Sequence, residues 1–451
     1  QHLTQKEDPF YRAIKQFQPF GGLLNLNVDQ ENFNINQERQ AKTDKVEGKL
    51  DYYYILSPRA NLNFTFGLTD VKQDFNSSIF QILDNNTNQY FFEDNLINDV
   101  SFHFQDVYAA LHYRFISGIF TFDPGVTLHS YKTVTEQLEN TIDNTFAFFR
   151  PDIRILMKLK DTETLRLLYR STRQFTDINQ LAEGYIFRNY NSFFQGNPNL
   201  EAAFFDVVNL NYQSINIFNF TNIFANLSYS VRDNAIQNTT SVAGINSVRS
   251  ASNSNFPREI YTASGRIDKR SKNFKGGASI NYNYSDFNNI INNTPTASSN
   301  FTQRYRLNIA TNFRIKPNIE VGYTYSIRDY KTGNVESKFF TDAPYVRLDA
   351  YFLKGFVFNA KYTYNFYRNE EQTLNEYRFL EADLSYTPQG SKWEFGVSAT
   401  NLLNDTQINR DSFNQFSFTT NSYIIQPRYI VFQITYDLTA IGGKSNEKKK
   451  K

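Results

Sequence analysis

Along most of the chain apolar and polar residues alternate one for one, the period that sends successive side chains to opposite faces of a β-strand. Between Arg304 and Ile315 one set is Tyr305, Leu307, Ile309, Thr311, Phe313 and Ile315; the other is Arg304, Arg306, Asn308, Asn312 and Arg314. The next stretch sets Ile319, Val321, Tyr323, Tyr325 and Ile327 against Glu320, Thr324, Ser326 and Arg328. Further on, Phe356, Phe358, Ala360, Tyr362, Tyr364 and Phe366 oppose Asn359, Lys361, Thr363 and Asn365. Residues 153–159, 165–170 and 430–438 repeat the pattern, and a weaker run lies at 23–33. Many runs pass the 5–6 residues or so of an ordinary strand and reach the 9–11 or so that cross a bilayer at a tilt.

The connections alternate in length. Tight turns are expected at Ser57-Pro58-Arg59, Ser117-Gly118, Lys160-Asp161-Thr162, Gln213-Ser214-Ile215, Ser271-Lys272, Lys316-Pro317-Asn318, Lys354-Gly355 and Pro388-Gln389-Gly390. Longer polar loops are expected at 84–89, 175–201, 233–256, 285–300, 330–337, 369–373 and 404–421. Short turns on one rim and long loops on the other predict an all-β fold, a transmembrane antiparallel up-and-down β-barrel with about 18 strands in this chain. A soluble propeller or solenoid would need a repeat of fixed period, and none is found.

Composition sharpens this picture. No stretch approaches the roughly 18–20 apolar residues of a membrane helix. A mean hydropathy of −0.54 does not exclude a barrel, because alternation cancels in any average. Tyr 30 and Phe 44 supply strand-forming aromatics, while Gly 19 and Pro 12 are few for 451 residues. With Cys 0 and His 4, none in paired spacing, no disulfide, thiolate site, metal centre or cofactor is expected. A net charge of +2 argues against nucleic acid as a partner. No phosphate loop or Ser/His/Asp arrangement occurs, so no catalytic residue and no enzyme activity are expected.

Three stretches resemble a known family. "LRLLYRSTRQFTDINQL" from Leu165 runs through Tyr169-Arg170-Ser171 to Gln180-Leu181, and Gly196-Asn197-Pro198-Asn199-Leu200-Glu201 follows. This resembles a passage in the barrels of TonB-dependent outer-membrane receptors, particularly those of Bacteroidota, although 175–178 lack the family's proline. "WEFGVSATNLLND" (Trp393–Asp405) resembles the family's penultimate strand, and "QPRYIVFQITYDL" (Gln426–Leu438) its closing strand. The resemblance implies a 22-strand barrel with a plugged lumen. Residues 1–439 then read as barrel, with the first strands and the plug domain outside this sequence, and 440–451 as a basic tail. The implied function is active uptake of a scarce nutrient across the bacterial outer membrane. The implied partners are outer-membrane lipid and lipopolysaccharide, the plug domain, the TonB complex acting through that plug, and a small-molecule or oligomeric nutrient ligand. A plug-free passive channel and a surface adhesin barrel are the alternatives.

Two groups of candidate residues follow. Arg304, Arg306, Arg314, Glu320, Arg328, Arg347, Asp349, Lys361, Glu381 and Asp383 are expected on the lumen face, as a hydrated charge-balanced wall or as plug or ligand contacts. Tyr185, Phe187, Tyr190, Phe193 and Phe194 lie in the longest loop. Their rings could stack on a ligand, fold the loop over the barrel opening, or join the interfacial girdle.

Overall fold

The computed structural model describes residues 2–16, 18, 24–93, 95–189, 191–243, 246–405, 407–413 and 418–438. The basic tail at 440–451 lies outside them. The described residues are nearly all strand and mainly antiparallel, with local parallel pairings of Ser192–Gln195 with 247–250 and of 239–240 with 290–291. Its one helix among the described residues is the single turn Ile178–Leu181. No described helix is long and apolar enough to cross a membrane, which says nothing of strands. The residues fall into two compact units: 1–211, 228–261 and 285–298 in the first, 212–227, 262–284 and 299–451 in the second.

The first unit is built on very long strands. Phe33–Ser57 has 25 residues, Ala60–Ile82 has 23, and Ile97–Ser117 and Asn140–Lys160 have 21 each. Their register places Leu50 opposite Phe66 and Phe66 opposite Ala109. Ala109 in turn faces Leu128, and Leu128 faces Phe149. Leu50, Phe66, Leu68, Val107, Leu111, Leu128 and Phe149 are all exposed on this one face. The alternate residues Lys49, Asp51, Thr65, Asp106, Tyr108, His129 and Arg150 occupy the other. A two-sided sheet of this kind, apolar outward and polar inward, is what a bilayer-spanning wall requires. Gly67 sits opposite Tyr108, and a Cβ at Gly67 would fall inside the Tyr108 ring. The missing side chain lets the phenol lie flat across the neighbouring strand.

In the second unit the strands Asn318–Thr332, Val335–Phe352, Phe356–Arg368, Thr373–Tyr386, Trp393–Thr400 and Tyr429–Tyr436 pair in sequence, each antiparallel to the next. Val321, Val346, Tyr362 and Leu380 align across four of them, and the first three are exposed. Ile430, Phe432, Ile434 and Tyr436 continue the apolar face on the last strand. The alternation predicted for these segments is therefore present strand by strand.

Several local expectations are corrected, and the loop expected at 233–256 is largely a hairpin of Ile236–Ala243 and Asn246–Asn253. Residues 285–300 and 330–337 are not loops. Their strands run on to two-residue turns at Asn292-Asn293 and Gly333-Asn334. Asn292, Asn293 and Gly333 have φ of 46°, 63° and 55°, a conformation that Asn and Gly adopt at least cost. The turn placed at Gln213-Ser214-Ile215 lies further on, after Asn216. There the Asn216 side chain accepts from the amides of Phe218 and Asn219, both at 3.0 Å, and nucleates the reversal. The strand expected at 23–33 begins only at Phe33; Leu24 and Leu26 are instead buried in the core. Finally, Arg314 is not on a strand. Thr294–Thr311 ends three residues before it, and Asn318 ties off the turn with bonds to the Phe313 amide (2.7 Å) and carbonyl (2.9 Å).

Because Phe66 and Thr69 stand on opposite faces, equal charges there should act unequally. Phe66→Arg should destabilise the protein by about 2–4 kcal/mol in lipid vesicles, and Thr69→Arg by well under half as much. Denaturant unfolding monitored by tyrosine fluorescence would measure both.

Candidate functional site

The polar face of the first unit does not stand bare: the segment 175–201 folds down onto it. Asp177 caps the single helical turn, its Oδ1 accepting from the Asn179 amide at 2.9 Å and the Gln180 amide at 3.2 Å. That turn points Ile178 and Leu181 inward. They join Phe75, Val100, Phe102, Ile186 and Phe194 in one apolar cluster, while Phe187 and Phe193 join Phe33, Ile35, Ile79 and Leu96 in a second. Phe187, Phe193 and Phe194 are 1%, 0% and 3% exposed, and Tyr185 packs against the second cluster. Tyr185, Phe187, Phe193 and Phe194 thus pack the segment against the strands. Tyr190 lies outside the described residues.

Polar side chains of the strands finish the seam, a role that alternation alone does not reveal. The Gln37 amide donates to the Tyr185 carbonyl at 2.8 Å and accepts from the Phe187 amide at 2.9 Å, as a neighbouring strand would. Asn98 Oδ1 accepts from Gly184 N at 2.8 Å, and Gln137 Oε1 from Glu183 N at 3.3 Å. Each amide replaces a ladder partner that the incoming backbone lacks, so its polar groups stay satisfied in a dry place. Within the segment Gly196 N donates to the Ala182 carbonyl and Asn197 N to the Gln180 carbonyl, both at 2.7 Å. A Cβ on Gly196 would sit 2.5 Å from those same two oxygens. The Gln180-Leu181 and Gly196-Asn197 motifs are thus two sides of one contact.

Under the segment lies a network of charge and aromatic rings. Arg150 donates from Nη1 to His129 Nε2 at 2.9 Å and from Nε to the Ser171 carbonyl at 2.9 Å. A guanidinium can only donate, so Nε2 accepts and the imidazole carries its proton on Nδ1. That proton faces Asp106 Oδ1 at 2.8 Å. The His129 ring stacks on Tyr131 at 5.0 Å, and Tyr131 meets Phe175 at 4.7 Å, where the segment begins. Arg173 lies over Phe148 at 4.5 Å and Phe204 at 3.5 Å. The network fixes the ground on which the segment rests.

The second unit brings most of the predicted charged residues together on one face. Glu320, Arg347, Lys361 and Glu381 stand directly opposite one another on four successive strands; Asp349, Asn359 and Asp383 form the next row. Arg347 Nε meets Asp349 Oδ1 at 2.9 Å, and Tyr345 donates to Glu320 at 2.6 Å. Arg304 and Arg306 bond Ser326 and Thr324, each at 3.4 Å, and Arg328 stands opposite Phe339. Arg314, in its turn, is apart from the ladder. The pairs are solvated, so each contributes about 0–1 kcal/mol. The ladder balances charge more than it builds stability. Glu381 and Asp383 belong to it. Among the described residues no group of three or more His, Asp or Glu is placed to hold a metal.

A family model described as "Outer membrane protein beta-barrel family" matches residues 18–436. Among solved structures the chain is similar to the copper transporter OprC, with TM-score 0.52 and 11% identity over 96% of this chain and 65% of that one. It is also similar to BauA, the ferric preacinetobactin receptor from Acinetobacter baumannii (0.45, 10%, 91% and 64%). The siderophore receptor PirA from Pseudomonas aeruginosa gives 0.41 and 8%, over 96% and 77%. These identities speak to fold alone. The chain spans under two-thirds of the OprC and BauA chains. No curated protein sequence matches.

Gln37→Leu should leave the Tyr185 carbonyl and the Phe187 amide unpaired and loosen the segment by about 1–3 kcal/mol. Hydrogen exchange of residues 183–189 would report this as faster exchange there, with the 100–115 strand core unchanged.

Proposed function

The chain belongs to the outer membrane protein beta-barrel family, whose place is the bacterial outer membrane, and from that premise we propose that it is the wall of a TonB-dependent nutrient receptor. The observation carrying the proposal is the use made of the motif residues. Gln180-Leu181 and Gly196-Asn197, which resemble that receptor family, close the inward-folded segment. Asn401 of the Asn401-Leu402-Leu403-Asn404 motif donates to the carbonyls of Asp405 (2.6 Å) and Gln426 (3.1 Å), fixing the entry to the last strand. These contacts, in two of the three stretches that carry the resemblance, support the reading.

In this reading the strands supply the lipid-facing wall, in contact with phospholipid and lipopolysaccharide. The ladder from Glu320 to Glu381 is the seat for a plug domain, its two central cations flanked by carboxylates matching a partner of mixed charge. TonB would act through that plug, and the cargo would be a scarce nutrient such as a metal or its chelate. The competing passive channel needs a permanently open path.

Conductance separates the two. The protein purified in its native form from the outer membrane should show no steady current in a planar bilayer. Urea at a concentration that unfolds a plug but spares the strands should open it reversibly. A steady ohmic current without urea would overturn the receptor reading in favour of the passive channel.

A further inference from the structure

Within the first unit, a pocket of about 270 Å³ lies where the Thr221–Asp233, Arg258–Arg270 and Phe274–Ile291 strands meet the hairpin of Ile236–Ala243 and Asn246–Asn253. Arg232, Arg258, Gln237, Asn238, Asn289 and Phe287 are among its lining residues, and no carboxylate lines it. Arg232 and Arg258 follow the parity of Ser230 and Thr262, so both rise from the polar face of their strands.

The chemistry of this pocket is lopsided. Two guanidiniums share it, and among the described residues neither forms an ion pair. Arg232 Nε and Gln237 Nε2 are buried without any acceptor. A buried donor left unpaired is destabilising, and two in one small pocket are open to a common acceptor. Arg232 stacks on Phe205 at 4.7 Å and Arg258 on Phe287 at 5.1 Å, so aromatic faces hold the guanidinium planes while their forks stay available.

We propose that this pocket binds the oxyanionic end, carboxylate or phosphate, of a small molecule. Guanidinium forks match both groups in bidentate geometry, and the Gln237 amide supplies a further donor. The asparagines around them complete a polar lining without adding charge. The binding stands by itself. Its role as recognition of cargo rests on the receptor reading.

Titration calorimetry on the full chain in detergent tests the binding without any transport step, so a failure here is distinguishable from a failure of the receptor reading. The probes are inorganic phosphate and succinate, with chloride at matched ionic strength as the control. One oxyanion should bind at a single site. Arg232→Gln and Arg258→Gln should each weaken it by about tenfold or more, while Lys272→Gln, just past the other end of the strand that Arg258 begins, should change nothing. Tighter phosphate binding assigns a phosphoryl ligand and tighter succinate binding a carboxylate. Circular dichroism and gel mobility would establish that each variant is folded, and Arg232→Lys, which keeps charge but loses the fork, should fall between. No binding beyond chloride by either probe, or equal binding in folded Arg→Gln variants, would overturn the proposal.

Discussion

Everything in this protein depends on the backbone of each long strand being satisfied sideways by its neighbours. Once the ladder takes up the amides and carbonyls, the side chains can only divide between two faces, every second residue to each. One face must then suit hydrocarbon and the other water. The Leu50, Phe66, Ala109, Leu128 and Phe149 row shows the outcome on one side, and the Glu320, Arg347, Lys361 and Glu381 row on the other. A slip of one residue in any pairing would exchange the two sets, so the register is held by the medium as much as by the turns.

The polar face then has work beyond contact with water. Where the segment 175–201 folds against it, Gln37, Asn98 and Gln137 stand in for the strand partners that the incoming backbone does not have. Beneath them, Asp106, His129 and Arg150 form a hydrogen-bonded chain. Such an arrangement tolerates burial because its members bond one another. Near the Asn-rich hairpin Arg232 Nε and Gln237 Nε2 are left without an acceptor, and it is their sharing of one pocket with Arg258 and no carboxylate that singles the pocket out.

Much of the fold was legible because alternation is a local signal. Tyr305, Leu307 and Ile309 could be assigned to one face from their own segment. Beyond the hydrocarbon both faces of a strand are wet, the alternation fades, and 294–300 read as loop although it is strand. The inward fold of 175–201 was harder still. Its aromatics keep no period, and the residue that clamps Phe187 is Gln37, 150 positions away. The turn at Asn292-Asn293 did carry a signal, the left-handed preference of asparagine. Arg314 was misplaced because a polar residue after a strand continues its parity by chance. The oxyanion pocket had no local signature, since its arginines lie on separate strands and its amide on a hairpin.

The central claim is the division of faces, and the absence of cysteine from this chain gives it a direct test. Single cysteines at 62, 64, 66 and 68, and at 63, 67, 69 and 71, would be reacted with a charged, water-soluble thiol reagent in the native outer membrane. Residue 67 is informative despite the crowding by Tyr108 only if that variant is folded, so 63, 69 and 71 carry the odd set. The account predicts protection at the even positions and labelling at the odd ones. Equal labelling of both sets, or the reverse alternation, would contradict it.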